Sequence, residues 1–186
     1  VMPRRRSSCL TAQLISPFID WVLFCWFPIS LAHKFKNSHL SATFGQFMLF
    51  RPSAYAAIGG HSDIRNNPID DFELGRRTKA HGLKWALYQG TTSVETASYK
   101  NNADTIRVVS RSVVPALNYR LSVRIAASTM LVMLGFVPLI LLITAVLTDD
   151  SCITQALVAG ASTILLSATW IITCHKFRHG YWTVPL

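Results

Sequence analysis

Two stretches near the C-terminus decide the fold: Ile125 to Leu147, IAASTMLVMLGFVPLILLITAVL, and Ile153 to Cys174, ITQALVAGASTILLSATWIITC. Neither contains a charged residue, and each is over 20 residues long. A helix rising about 1.5 Å per residue needs roughly 20 apolar residues to cover a hydrocarbon core about 30 Å thick. The pair therefore predicts a transmembrane helical hairpin with spans at about 125–147 and 153–174. Pro138 lies inside the first span, where a membrane helix tolerates it if neighbours satisfy the freed carbonyl. The link between the spans, Thr148-Asp149-Asp150-Ser151-Cys152, is acidic, whereas Arg111, Arg120, Arg124, Lys176 and Arg178 flank the outer ends. Basic residues concentrate on the cytoplasmic side of membrane proteins. The hairpin tip is thus expected to face away from the cytoplasm, with both outer ends cytoplasmic.

Composition agrees. Charged residues make up 15% of the 186 and hydrophobic residues 51%, against about 25% charged in an average soluble domain. The net charge of +9 suits nucleic acid or anionic lipid headgroups. No nucleic-acid-binding motif occurs, and juxtamembrane Lys and Arg are each worth about 1 kcal/mol at an anionic surface. Lipid is the expected partner and nucleic acid is not. Cys9, Cys25, Cys152 and Cys174 form no CxxC pair, and the six histidines form no HExxH; neither a metal cage nor a disulfide framework is expected.

Outward from the hairpin, residues 1–37 form a basic segment with an apolar, aromatic run. Val1 is not an initiator, so the chain is either a fragment or begins at Met2. Arg4-Arg5-Arg6 followed by Trp21 to Ala32 imitates a secretory signal, but Pro17 and Asp20 are expected to break the approach. The aromatics between Phe18 and Trp26 suit first a helix lying in the headgroup region or re-entering it, then a third span, and a cleaved signal last.

Residues 38–120 read as an extramembrane α/β segment. Gln46 to Phe50 is a short apolar run, expected to be a buried strand. Pro52 starts a helix that Gly59-Gly60 ends. A second helix opens at Asp70-Asp71, where Asp70 and Glu73 have capping-box spacing, and closes with Lys79, His81 and Gly82. Lys84 to Gln89 reads as a weak strand and Thr91 to Tyr99 as strand or loop. Asn101 to Arg120 reads as a helix with Ile106, Val109, Val113 and Leu117 on one side and Pro115 as an interruption. Paired carboxylates at a loop-to-helix junction serve either as simple helix caps or as a general base with a tuning neighbour.

The order of these pieces carries a family likeness. Gly45-Gln46-Phe47-Met48-Leu49-Phe50-Arg51, then Ile58-Gly59-Gly60-His61, then Asp70-Asp71-Phe72-Glu73-Leu74-Gly75-Arg76-Arg77-Thr78-Lys79-Ala80-His81-Gly82 resembles the C-terminal half of the catalytic domain of membrane-bound family 2 glycosyltransferases. The hopanoid-associated and carotenoid types are nearest and ceramide glucosyltransferases more distant. Their pattern is a G-(Q/G)-x-M-L-(F/V)-R strand, a helix ending in G-G, and an acidic pair before x-L-A-R-x-x-K-x-x-G. The likeness runs from about Ser16 through the second span.

The resemblance implies a GT-A-like fold and transfer of a sugar from a nucleotide-sugar donor to a lipid or polyprenoid-like acceptor at the cytoplasmic face of the cell membrane. It places Asp71 as catalytic base, with Asp70 beside it, and sets Gly45 and Gln46 on the acceptor side. Gly59 and Gly60 serve backbone geometry, and His61 is a further candidate contact. The family's Q-x-x-R-W is absent; Arg107-Val108-Val109-Ser110-Arg111-Ser112 stands in its place, so Arg111, then Arg107, would neutralise the departing pyrophosphate. Both also read as plain juxtamembrane charges. The family's N-terminal half, which binds donor through a D-x-D holding Mg²⁺ or Mn²⁺, has no counterpart: this chain contains neither D-x-D nor a Gly-rich phosphate loop. No cofactor is expected on the chain itself. The expectation is an α/β fragment, the C-terminal half of a GT-A-like domain, followed by the hairpin of residues 121–186. The alternative is a non-catalytic membrane-anchored module.

Overall fold

A computed structural model describes all residues except 7, 98, 100, 117–119, 148–152 and 184–186, and the backbone alone for 113–116, 146 and 147. The hairpin tip, Thr148 to Cys152, lies outside the described residues, as do Leu117 and the side chain of Val113. The chain divides into two units, Val1–Pro115 and Ala116–Leu186.

Helix dominates. The first unit holds β1 (Arg4–Arg6), α1 (Leu10–Trp26), α2 (Ile29–Lys34), α3 (Pro52–Ala57), α4 (Asp70–Ala80), β2 (Glu95–Ala97) and all but the last residue of α5 (Asn102–Ala116). The only sheet among the described residues is β1 beside β2, parallel, with Arg4 opposite Glu95, Arg5 opposite Thr96 and Arg6 opposite Ala97. Successive side chains of a strand point to opposite faces. Arg4 and Arg6 accordingly share the exposed Glu95 at 3.7 and 2.6 Å. Arg5 turns the other way and pairs with Asp20 at 2.7 Å, the side chains only 6% and 1% exposed.

Helix α1 runs unbroken through Pro17 and Asp20 and buries Ala12, Ser16, Pro17, Asp20 and Trp21. Arg5 compensates the charge of Asp20, buried within this helix.

Gln46 to Phe50 is not a strand. It keeps the alternation of one: Met48 and Phe50 pack on the core of Ile58, Ile64 and Leu74, while Leu49 is 85% exposed. What it lacks is a neighbouring strand to ladder with. Lys84 to Gln89 is likewise irregular, with an isolated parallel bridge between Met2 and Gln89 at its end.

Helix α3 begins at Pro52, its first helical residue, and stops at Gly59 and Gly60, whose φ values of 76° and 54° are left-handed. Side chains are costly there, and Cβ atoms would collide with Asp63 and Tyr55 respectively. Arg77 closes this turn, donating to the Ile58 carbonyl at 3.2 Å and reaching Asp63 Oδ2 at 3.3 Å.

In α5, Asn101 caps the helix by accepting the Asp104 N–H at 2.8 Å, and the helix continues past Pro115 to Ala116. Among its described side chains Thr105 is the buried one, whereas Ile106 is exposed.

The second unit is α6 (Leu121–Leu147) packed along α7 (Ile153–Phe177). Both are long and apolar enough to cross a membrane. Of the most apolar 18 residues, 0% are buried in α6 and 17% in α7; the core helix of a soluble protein would bury most of them. Both helices run past the expected spans, taking in Arg124 at one end and His175 and Lys176 at the other.

Candidate functional site

Helix α4 carries the candidate base at its first turn. Asp70 and Asp71 are its first two residues, so the N-cap is Ile69 and no side-chain capping box forms. Glu73 is diverted to Arg76 at 2.7 Å and Arg77 at 3.2 Å, which lowers its pKa below the usual range. The carboxylates still serve the helix start: Asp70 Oδ1 accepts the Asp71 N–H at 3.0 Å and Asp71 Oδ1 the Phe72 N–H at 2.8 Å. Acidic groups are favoured at this end by the unpaired amides and the helix dipole.

Asp71 does more than cap. Its second oxygen, Oδ2, accepts the Gly45 N–H at 2.8 Å. Gly45 lies 26 residues earlier, and even a Cβ there would sit 3.2 Å from Asp71 Oδ2. The carboxylate is half-buried. Burial raises its pKa above the ordinary 3.8, Asp70 adds to the rise, and the N–H bonds from Phe72 and Gly45 oppose it. A carboxylate held above its usual pKa is a better proton acceptor at neutral pH.

The approach of Gly45 to Asp71 is one of three contacts along a single face of α4. Residues four apart on a helix share a face, and Asp71, Gly75 and Lys79 follow that spacing. Thr43 lies so close over Gly75 that a Cβ there would overlap its Oγ1. Lys79 is buried. Its Nζ donates to the carbonyls of Ala32 at 2.6 Å, Phe35 at 3.1 Å and Leu40, with the Trp85 ring centroid at 4.8 Å. Desolvation lowers its pKa. Lys79 was expected to serve the C-terminus of its own helix; its donors go instead to the C-terminal end of α2 and the loop beyond.

No protein-family profile, curated protein or solved structure matches the chain.

The other candidate residues are placed as follows. Asp70 is exposed beside Asp71. Gln46 is exposed next to Gly45. His61 is exposed; its Nδ1 and its N–H both meet the Tyr55 hydroxyl, the latter at 3.0 Å. Arg107 is exposed and pairs with Asp104 on its own helix at 3.6 Å; Arg111 is exposed one turn on. Neither arginine is bonded to Asp71, whose partners are Gly45 and Phe72. Among the described residues no three His, Cys, Asp or Glu side chains converge as a metal-binding group.

Sequence reading missed Lys79 as a clamp. It also missed Arg5, whose guanidinium carbon lies 5.2 Å over the ring of Phe44, the neighbour of Gly45. The usable signal for Lys79 was its spacing of eight from Asp71 on one helical face. Nothing local marked its carbonyl partners.

Proposed function

We propose that this chain is the acceptor-side part of a membrane-anchored glycosyltransferase, with Asp71 as general base. The observation that carries the reading is the half-buried Asp71 carboxylate at the start of α4, its pKa raised and one oxygen fixed by the Gly45 N–H. In a single displacement, an acceptor hydroxyl oxygen bonds to the sugar anomeric carbon. The bond from that carbon to the donor phosphate breaks, and the nucleoside diphosphate leaves with the electron pair. Asp71 takes the hydroxyl proton. Arg111 and Arg107 would offset charge on the leaving diphosphate. Donor and its cation are left to a part outside this sequence. The two apolar helices support membrane anchoring, and the basic flanks favour the cytoplasmic face. A lipid or polyprenoid-like acceptor is consistent with that location.

The test is Asp71→Asn in an enzyme assembled with a donor-binding part. A general base typically supplies 10²- to 10⁴-fold, so transfer should fall by about that factor. Unchanged transfer would favour a second reading, a non-catalytic membrane-anchored module. The small size of the described sheet, only two strands, speaks for that reading.

A further inference from the structure

We propose that Lys79 is a positioning residue for Asp71, acting at a distance by holding the Leu40–Gly45 segment in register along α4. The proposal rests on the reading of Asp71 as a base only for its purpose.

The geometry is that of a short strap fixed at both ends. At one end Lys79 Nζ is bonded to the carbonyls of Ala32, Phe35 and Leu40. At the other, Gly45 N–H is bonded to Asp71 Oδ2. Thr43 seats on Gly75 between them. From Asp71 to Lys79 the helix rises about 12 Å at 1.5 Å per residue. The five peptide steps from Leu40 to Gly45 reach at most about 17 Å. A strap only five peptide steps long, fixed at both ends and seated at Thr43, transmits the position of Leu40 to Gly45. Release of Leu40 frees the Gly45 amide to leave the carboxylate and lets water reach Asp71.

Lys79 suits a clamp rather than a surface charge. It is 4% exposed, and among the described residues its partners are three carbonyls and one aromatic face rather than a carboxylate. Buried ammonium groups are retained only where hydrogen bonds compensate for lost water. Three carbonyls from separate positions do so here, and together they tie the end of α2, the following loop and α4.

The test uses the full chain in nanodiscs, labelled with ¹⁵N at glycine and phenylalanine, titrated through the carboxylate range by NMR. In the native chain the amides of Gly45 and Phe72 both follow the ionisation of Asp71, because each donates to one of its oxygens. In Lys79→Met the Phe72 titration should persist, being internal to α4, and the Gly45 titration should be lost. Lys79→Arg, which restores a cation with several donors, should recover it at least in part. A Gly45 amide that titrates unchanged in Lys79→Met overturns the proposal. So does loss of the Phe72 response together with that of Gly45 in both Lys79→Met and Lys79→Gln, since Lys79 would then hold the helix itself rather than the contact. No sugar donor enters the measurement. Its failure is therefore separate from a failure of Asp71→Asn to alter transfer.

Discussion

Replacing Asp20 by Asn probes the interior of the first unit most directly. Asn keeps the size of the side chain and removes its charge, leaving Arg5 with 6% of its side chain exposed and no carboxylate at 2.7 Å. At that separation the Coulomb attraction is about 6 kcal/mol for an effective dielectric of about 20. Much of this is offset by desolvation of both groups. What the single substitution measures is a cation left buried without its partner, which typically costs about 3–5 kcal/mol. The double variant Arg5→Met/Asp20→Leu removes both charges and fills the space, so it should cost less than Asp20→Asn alone. Glu95→Gln is the surface contrast: its partners Arg4 and Arg6 are 35% and 74% exposed, and such pairs contribute about 1 kcal/mol or less. The assay is urea unfolding of the full chain in mild detergent, followed by tryptophan emission; buried Trp21, beside Asp20 in sequence, reports on this unit. A loss below about 1 kcal/mol for Asp20→Asn, equal to that of Glu95→Gln, would refute the reasoning.

Gly75→Ala should destabilise by about 1–3 kcal/mol by urea unfolding, because the added Cβ overlaps Thr43 Oγ1 and forces the strap outward. Asp71 carries a raised pKa, so the folded state binds its proton more tightly than the unfolded state. Stability attributable to Asp71 is then greatest below the ordinary value of 3.8 and falls as pH rises through the folded value; unfolding as a function of pH should show Asp71→Asn stabilising at neutral pH and losing that advantage in acid. Met133→Arg places a charge at an exposed position within α6 and should lower membrane insertion by about 2.5–3.5 kcal/mol, read from the fraction extracted by alkaline carbonate, whereas Met133→Leu should be neutral. The amides of Met48, Leu49 and Phe50 make no backbone hydrogen bond among the described residues and should exchange with deuterium orders of magnitude faster than that of core Leu74; a donor-binding part that adds strands here should protect them.

What the sequence made legible was local. The hairpin followed from two charge-free runs of sufficient length. The limits of α3 and α4 followed from Pro52, Gly59-Gly60, Asp70 and Gly82, each acting within a turn of its own position. Asp71 could be placed at a helix start for the same reason. The capping box failed at the same scale: Ile69 took the N-cap, and Glu73 found two arginines one turn ahead of it. Those partners were in plain sight at i+3 and i+4, where oppositely charged residues meet on a helix surface.

The non-local features were hidden. Three consecutive arginines looked like a charge cluster, yet pairing with residues 95–97 makes them a strand that sends only Arg5 inward. The Gln46–Phe50 run shows the converse. Its alternation is a strand's, and Met48 and Phe50 do face the core, but a strand is completed by a neighbour's backbone rather than by its own pattern. The candidate site belongs to this second class. Asp71, Gly75 and Lys79 lie at a spacing any reader can count, but what they touch is Gly45, Thr43 and Leu40, brought alongside by the return of the chain. Hydrophobic periodicity gives no sign of that contact because its terms are a backbone amide, the absence of a Cβ, and backbone carbonyls. The carboxylate owes its shifted pKa to the same return of the chain, since it is burial that raises it. The ionisation of Asp71 is therefore a property of the packed segment, and perturbing it need not touch Asp71 at all.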